Sequence, residues 1–206
     1  MSFDFKLKRA LGGLSGPRRL WAPLWMGPLH PDGIQELFGC PVDPEELYAE
    51  TLASWEACES PHTLDKLTCW FVELYLQNNI LPKVDRSSML CSLEVRSPFL
   101  DIDLVNFCRT LPATARLRHG RKTKAVLRHA GRACLPQAVL ARSKQGFALP
   151  VGAWFREGNL RVSGSPELTN ATAVRQRSAA HEEGQRDERL FLYSQWAFER
   201  FLEGRP

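Results

Sequence analysis

Val84 to Asp101 spells VDRSSMLCSLEVRSPFLD, and the rest of the chain is organised around this stretch. It places the charged residues Asp85, Arg86, Glu94 and Arg96 among apolar neighbours. Because burying an unpaired ion is very unfavourable, we expect these charges to be paired or to face a cleft. They therefore either pin helices together or line a site.

The second half of the stretch predicts a corner between two helices. Pro98 disfavours helical dihedrals at Ser97. Asp101 then stands as an N-cap before the helical period that begins at Leu104. The stretch therefore predicts a helix, a polar corner and a second helix.

The longer string LPKVDRSSMLCSLEVRSPFLD (residues 81–101) closely resembles the C-terminal synthetase domain of glutamine-dependent asparagine synthetases and related amidotransferases. Later blocks resemble the same family in the same order, above all RSKQGF at Arg142–Phe147 and LPVGAW at Leu149–Trp154. The resemblance covers roughly residues 1–203 and is weakest before residue 64 and over residues 159–184.

Two motifs of that family are missing from these 206 residues. Its synthetase domain opens with a parallel sheet that bears a Ser-Gly-Gly-x-Asp-Ser pyrophosphate loop, and its glutaminase domain begins with a nucleophilic Cys. Here residue 2 is Ser2, and the Ser-Gly pairs at Ser15 and Ser163 lack the rest of the loop. The predicted fold is all-α: a helical bundle-like array that corresponds to the back half of an adenine nucleotide alpha hydrolase-like synthetase domain, with the parallel sheet missing.

The resemblance implies an ATP-dependent, glutamine-hydrolysing asparagine synthase, a ligase that uses ATP and Mg. The whole enzyme would activate the side-chain carboxylate of aspartate as an acyl-adenylate and let glutamine-derived ammonia displace AMP. The expected partners are aspartate or a related carboxylate, ATP, ammonia, and a missing N-terminal half or partner chain. We predict that the chain is inactive without those parts.

The resemblance also implies site residues. Lys144 matches the family's essential lysine and is the catalytic candidate, with Gly146 allowing its loop to turn tightly. The predicted substrate- and nucleotide-binding residues are Asp85, Arg86, Glu94, Arg96, Arg142 and Gly146. No metal ligand is predicted in this chain.

Structural roles compete with these assignments. Asp85 and Arg86 fit an ion pair that pins helices as well as they fit a site. Glu94 and Arg96 point to the same side of an extended segment, where they fit a structural clamp or a substrate contact. The non-enzymatic hypothesis is a helical partner-binding module derived from the same family.

Composition bounds the remaining possibilities. A hydrophobic content of 44% and a net charge of +4 describe one globular, mildly basic domain. A basic run between residues 116 and 132 is either a solvated face or a phosphate contact. Nucleic acid and membrane partners are not expected.

Cysteines and histidines indicate no metal site. The six cysteines lack a Cys-x-x-Cys pair and predict buried thiols in a reducing cytoplasm. The five histidines have no ligand spacing. A cytoplasmic location follows as an expectation.

The predicted organisation treats residues 1–206 as a partial synthetase domain in four parts. Residues 1–42 form an irregular lead-in, residues 43–157 a helical core with the signature blocks, residues 158–186 a mobile polar segment, and residues 187–203 a C-terminal helix. Within the core, Asp43 and Thr63 cap helices, Asn78-Asn79 closes one, and Pro82 opens the next.

Overall fold

A computed structural model describes residues 11–204 except residues 15, 119–121, 144–148 and 166. The predicted all-α class is confirmed, since helices make up nearly all of the regular structure of the described part. Two-residue strands at Leu117–Arg118 and Lys122–Thr123 form one short antiparallel pair. No helix in the described ranges is long and apolar enough to cross a membrane.

The chain forms two compact units: a first unit made of Met1–Ala57 together with Ala148–Pro206, and a second unit made of Cys58–Phe147. The helices of the first unit are Arg18–Leu20 (3₁₀), Trp21–Met26, Pro31–Phe38, Pro44–Leu47, Ala49–Ala57, Val151–Arg156, Ala171–Glu182 and Arg189–Glu203. Those of the second unit are Thr63–Trp70, Phe71–Ile80 (π), Leu81–Met89, Pro98–Leu100 (3₁₀), Ile102–Thr110, Ala113–Arg116, Ala125–Ala130, Gly131–Ala133 (3₁₀) and Gln137–Ala141.

The first unit has a hydrophobic core built from distant parts of the sequence. Its buried cluster is Leu37, Phe155, Val174, Phe191 and Leu192. These five residues come from four different helices, and Phe155 is only 2% exposed. Burial of such side chains is the main stabilising term available to this unit.

The buried carboxylate of Glu199 in the first unit is hydrogen-bonded, as its burial requires. The Glu199 carboxylate accepts hydrogen bonds from the backbone N–H of Gly164 (2.8 Å) and Ser163 (3.2 Å) and from Gln195 Nε2 (2.9 Å). Gly164 adopts a φ of +77°, and a Cβ there would lie 2.9 Å from the Cα of Ala171. Glycine is therefore required for this loop to approach the helix.

His181 joins three segments of the first unit while fully buried. Its Nδ1 accepts from the backbone N–H of Glu188 at 3.2 Å, and its Nε2 lies 3.1 Å from the carbonyl oxygen of Gly152. The tautomer protonated at Nε2 satisfies both bonds.

A salt-bridge network crosses the same unit. Arg177 reaches Glu36 (2.5 Å) and Glu188 (3.3 Å), and its guanidinium lies 5.4 Å from the ring centroid of Phe191. It thereby connects the helix Ala171–Glu182 to an N-terminal helix and to the segment before the C-terminal helix.

The structure differs from the sequence prediction for the lead-in, residues 1–42. Instead of irregular chain it has helices at Trp21–Met26 and Pro31–Phe38. Pro31 opens the latter and Gly39, with a φ of +68°, closes it. High Gly and Pro content therefore marks helix ends here.

The polar segment 158–186 also differs from the prediction, because it contains the twelve-residue helix Ala171–Glu182. Asn170 caps this helix through bonds from Thr172 N (3.1 Å) and Ala173 N (3.2 Å). Its buried side chains are mostly small, so the sequence gives it no apolar stripe. Mobility of the segment stays a prediction, and the bonds made by Glu199 argue against it.

Of three predicted helix caps, Asp43 and Asp101 are confirmed by their capping bonds, whereas the Thr63 cap is wrong: Thr63 is the first residue of its helix, and His62 holds the N-cap position. Asp43 Oδ1 accepts from Glu45 N at 2.9 Å, although the helix that follows is interrupted at Tyr48. Asp101 Oδ1 accepts from Asp103 N and Leu104 N, both at 3.1 Å. A carboxylate in this position satisfies donors that the first helical turn leaves free.

The predicted helix end at Asn78-Asn79 is wrong. The chain stays helical from Thr63 to Met89 by adopting π-type turns over Phe71–Ile80, and Leu81 N donates to Leu76 O, five residues back. Pro82 cannot donate a backbone hydrogen bond and would crowd the carbonyl of residue 78 in a regular helix. The wider π turn before it explains how the helix continues.

The second unit buries few side chains. Among its described residues, Trp70, at 7% exposure, is the one large buried apolar side chain. Phe71 is exposed, as are Leu90 at 87% and Phe99 at 67%. Cys91, Cys108 and Cys134, predicted to be buried thiols, are exposed as well, and so is Cys40 of the first unit. Helical periodicity predicted which residues share a face but could not show that the face is left uncovered.

Candidate functional site

Asp85 and Arg86 lie on the helix Leu81–Met89, and both are exposed. The structure has no ion pair between them, because consecutive residues on a helix do not face each other. The premise that Asp85 and Arg86 are buried is therefore wrong, and they do not form the predicted ion pair with each other. Their role in a site stays a prediction.

The helix that carries them ends in a Schellman closure. Ser92 N donates to Met89 O at 2.9 Å, and Leu93 N donates to Ser88 O at 3.0 Å. Ser92 has a φ of +55°, a conformation that glycine adopts more easily. This closure reverses the chain and directs the next residues away from the helix axis.

Glu94 and Arg96 follow in an extended segment and form an ion pair with each other. Their side chains therefore lie on the same side, as alternation along extended chain predicts. Arg96 is 85% exposed and Glu94 is 69% exposed, so solvent screens the pair. The structure thus brings together two of the predicted site residues in an accessible position.

The corner that follows agrees with the sequence prediction. Ser97 is non-helical, with φ −114° and ψ 90°, and Pro98–Leu100 form one 3₁₀ turn. Leu100 N donates to Ser97 O at 2.9 Å, after which Asp101 starts the next helix. We call residues 84–101 the signature corner.

Arg142 lies just beyond the helix Gln137–Ala141, where its backbone N–H donates to Val139 O at 3.3 Å and its side chain is exposed. Lys144 and Gly146 lie outside the described residues. The roles predicted for Lys144 and Gly146 therefore remain predictions.

Part of the basic run is structural. The Arg116 guanidinium binds the Asp65 carboxylate, and Arg128 donates to the carbonyl oxygen of Leu140. A hydrogen bond from Ser60, followed by the one from Arg116, lowers the pKa of Asp65. No local sequence pattern indicates this pair, because its members lie 51 positions apart.

A concave surface that was not predicted lies in the first unit. Arg156, Arg161 and Arg175 line a cavity of about 470 Å³ together with residues of the helix Ala171–Glu182. These three arginines do not belong to one sequence motif, so the sequence could not indicate that they line the same cavity.

In the part of the chain that the structure describes, no group of three or more His, Cys, Asp or Glu residues could hold a metal ion.

Comparison with known proteins identifies the family. The family model described as asparagine synthase matches residues 18–198, which is more than half of the chain. The chain belongs to the asparagine synthase family. This match includes the signature corner and residues of both units.

Individual relatives agree. A Mycobacterium tuberculosis protein named "Putative asparagine synthetase (glutamine-hydrolyzing)" is 37% identical over 114 residues, which cover 55% of this chain and 16% of the relative. In Bacillus subtilis, asparagine synthetase (glutamine-hydrolyzing) 1 is 32% identical over 93 residues and asparagine synthetase (glutamine-hydrolyzing) 3 is 34% identical over 103 residues. They cover 45% and 48% of this chain but 15% and 17% of the relatives. No solved structure matches the chain.

Proposed function

We propose that the chain is the C-terminal portion of an asparagine synthase-like amidoligase. The complete enzyme adenylates the side-chain carboxylate of aspartate with MgATP and forms the amide with glutamine-derived ammonia. Family membership supports this reaction class, although the chain spans only about a sixth of the length of its curated relatives. The single observation that carries the proposal is the accessible signature corner within the family match.

The exposed cations of the second unit suit a nucleotide substrate. Arg86, Arg96 and Arg142 are all exposed there, and guanidinium groups match phosphate geometry. Magnesium fits the proposal as an ion that arrives with the phosphates, since Mg²⁺ commonly uses one or two carboxylates plus phosphate oxygens. Asp85 is an exposed carboxylate available for that purpose.

Lys144 has the proposed catalytic role. Adenylate formation places negative charge on the α-phosphate and the leaving pyrophosphate, and a fixed ammonium group stabilises that charge. Arg142, two residues away, would bind phosphate beside it. Both residues act by position and charge rather than by covalent chemistry.

The proposal requires parts that these 206 residues do not contain, namely a pyrophosphate loop and a glutaminase nucleophile. We expect the chain alone to form neither AMP nor asparagine from aspartate, glutamine and MgATP. Its exposed apolar residues, such as Leu90 and Phe99, fit a surface that another part of the enzyme covers.

A chimera tests the proposal directly. The chain replaces the corresponding segment of asparagine synthetase 1 of Bacillus subtilis, and AMP and asparagine are measured. We expect activity in the chimera and a loss of about 100-fold or more in Lys144→Ala, because a donor to the developing charge is removed. Arg109→Ala, which removes an exposed cation of the same unit outside the basic run and the predicted site, is the matched control.

The alternative is a non-catalytic module that binds a partner through its exposed apolar residues. A folded chimera that produces no AMP would favour this alternative. If Lys144→Ala lowered the melting temperature of the chimera but left its rate of AMP formation unchanged, the lysine would be a structural cation, and the proposed role would be wrong.

A further inference from the structure

Cys58 and Cys69 lie unusually close for two free cysteines. Their sulfur atoms are 3.1 Å apart, although the residues are eleven positions apart in sequence. Both side chains are half-buried, whereas the other four cysteines are exposed. The Cys58–Cys69 pair therefore differs from the other four cysteines in its burial and in the short distance between its sulfur atoms.

Two contacts hold the segment before the helix Thr63–Trp70 against its first turns, and a third lies within that segment. Lys66 Nζ donates to Cys58 O at 2.7 Å, and Ser60 Oγ donates to Asp65 Oδ2 at 2.6 Å. His62 N donates in turn to Ser60 Oγ at 3.2 Å. These bonds fix the position of Cys58 relative to Cys69 and keep the two sulfurs adjacent without a covalent link.

Little movement separates this pair from a disulfide. A disulfide has a sulfur–sulfur distance of about 2.05 Å, so the sulfurs must approach by about 1 Å. Rotation of the Cys58 side chain can supply that displacement while the helix that carries Cys69 stays in place. The effective concentration of one thiol at the other is high, because the chain has already been ordered.

The reduced form is also chemically protected. Burial, and then the hydrogen bond to Cys58, raises the pKa of Cys69 to about 11. Glu73 adds to this increase and Arg109 opposes it. Because the thiolate is the nucleophile, Cys69 reacts slowly with external disulfides, and the first attack on such a reagent is therefore assigned to Cys58.

We propose that Cys58 and Cys69 form a thiol–disulfide modification site that is oxidised by low-molecular-weight disulfides such as glutathione disulfide. The Cys58 thiolate attacks one sulfur of the reagent and releases one thiol, leaving a mixed disulfide. Cys69 then loses its proton, attacks the Cys58 sulfur and releases the second thiol. In sum, two protein thiols and one reagent disulfide give one protein disulfide and two reagent thiols.

The product staples the beginning of the second unit, since Cys58 is its first residue. Closing this loop restricts the unfolded chain and stabilises the folded one. The inference is independent of the proposed ligase activity, because it depends on neither Lys144 nor the signature corner.

The test is oxidation of the reduced chain in glutathione buffers of increasing disulfide content, followed by alkylation and peptide mass mapping. We expect a peptide linked through Cys58 and Cys69 to appear first, at a rate that does not depend on protein concentration. Cys69→Ser should stop at a glutathione adduct on Cys58. Cys108→Ser, which removes an exposed thiol, should leave the linkage unchanged.

Thermal unfolding provides a second readout. The midpoint of the second unit should rise by roughly 10 °C on oxidation of the wild type and should not change in Cys69→Ser. Circular dichroism is used to check that Cys69→Ser is still helical. If Cys69→Ser has lost helix, Cys58→Ser is used in its place. Glutathione adducts on both residues without the linkage, or linkages that form first between exposed cysteines, would overturn the proposal.

Discussion

The two units of the chain have similar helical content but differ in what their helices bury. In the first unit, five apolar side chains from four helices form a closed cluster, and even its buried carboxylate, Glu199, has three donors. In the second unit, Trp70 is the one large apolar side chain buried among the described residues. Amphipathic helices therefore do not guarantee a core, and a unit whose apolar faces remain open needs another surface to cover them.

The largest expected effect comes from replacing a phenylalanine by alanine in each unit, which tests this contrast directly. Phe155→Ala should lower the free energy of unfolding of the first unit by about 3–5 kcal/mol, because it empties a fully buried site. Phe99→Ala, in the second unit, should change stability by less than about 0.5 kcal/mol. Denaturant unfolding measures both. Equal losses would mean that Phe99 is covered in solution.

The next prediction concerns the buried polar contacts of the first unit. Glu199→Ala should destabilise it by about 2–3 kcal/mol, because the donors at Ser163, Gly164 and Gln195 lose their acceptor. Glu199→Gln keeps one acceptor oxygen and should lose less. Chemical denaturation measures the difference, and a neutral result for Glu199→Ala would show that water reaches this loop.

An ion pair of the second unit should make its stability depend on pH. The lowered pKa of Asp65 means that its bonds to Ser60 and Arg116 stabilise the folded state above the unfolded pKa of about 3.8. That contribution is lost as the pH falls through the folded value. Asp65→Asn should therefore be less stable than the wild type at pH 7.

The difference in unfolding free energy between the wild type and Asp65→Asn should disappear as the pH falls below 3.8. Unfolding curves recorded from pH 7 to pH 2 measure it. A gap that stays constant over this range would assign the effect of the substitution to packing instead of charge.

The smallest expected effect lies at the helix closure of the signature corner. Ser92→Gly should stabilise the second unit by about 0.5–1 kcal/mol, because glycine adopts a φ of +55° without strain. Ser88→Gly, inside the preceding helix, should be destabilising by a similar amount. Stability changes of opposite sign in the two variants, measured by chemical denaturation, would support the left-handed closure at Ser92. Changes of the same sign would contradict it.

Sequence reasoning succeeded where the controlling interaction is local. Asp101 and Asp43 were predicted as caps because a cap depends on residues two or three positions away. It failed at Phe71–Ile80, where backbone hydrogen bonds changed register before Pro82. It also missed the helix that contains Val174, because small residues and a buried histidine form no apolar stripe.

The candidate site was predictable as a motif but not as a surface. The segment VDRSSMLCSLEVRSPFLD identified the family and the same-side placement of Glu94 and Arg96. Exposure of its apolar residues could not be predicted, since burial depends on neighbours far away in sequence. The pairing of Arg116 with Asp65 was missed for the same reason.

The order in which the first unit's segments are made has a consequence for biosynthesis. Leu37 packs in a cluster with Phe191, and its carbonyl oxygen accepts from Asn170 N at 2.7 Å. About 150 residues separate Leu37 from Phe191, so at about 5–20 residues per second a ribosome needs roughly 10–30 s to make the missing partner. During that interval the N-terminal helices of the nascent chain lack their packing surface, and chaperone binding would be most useful then.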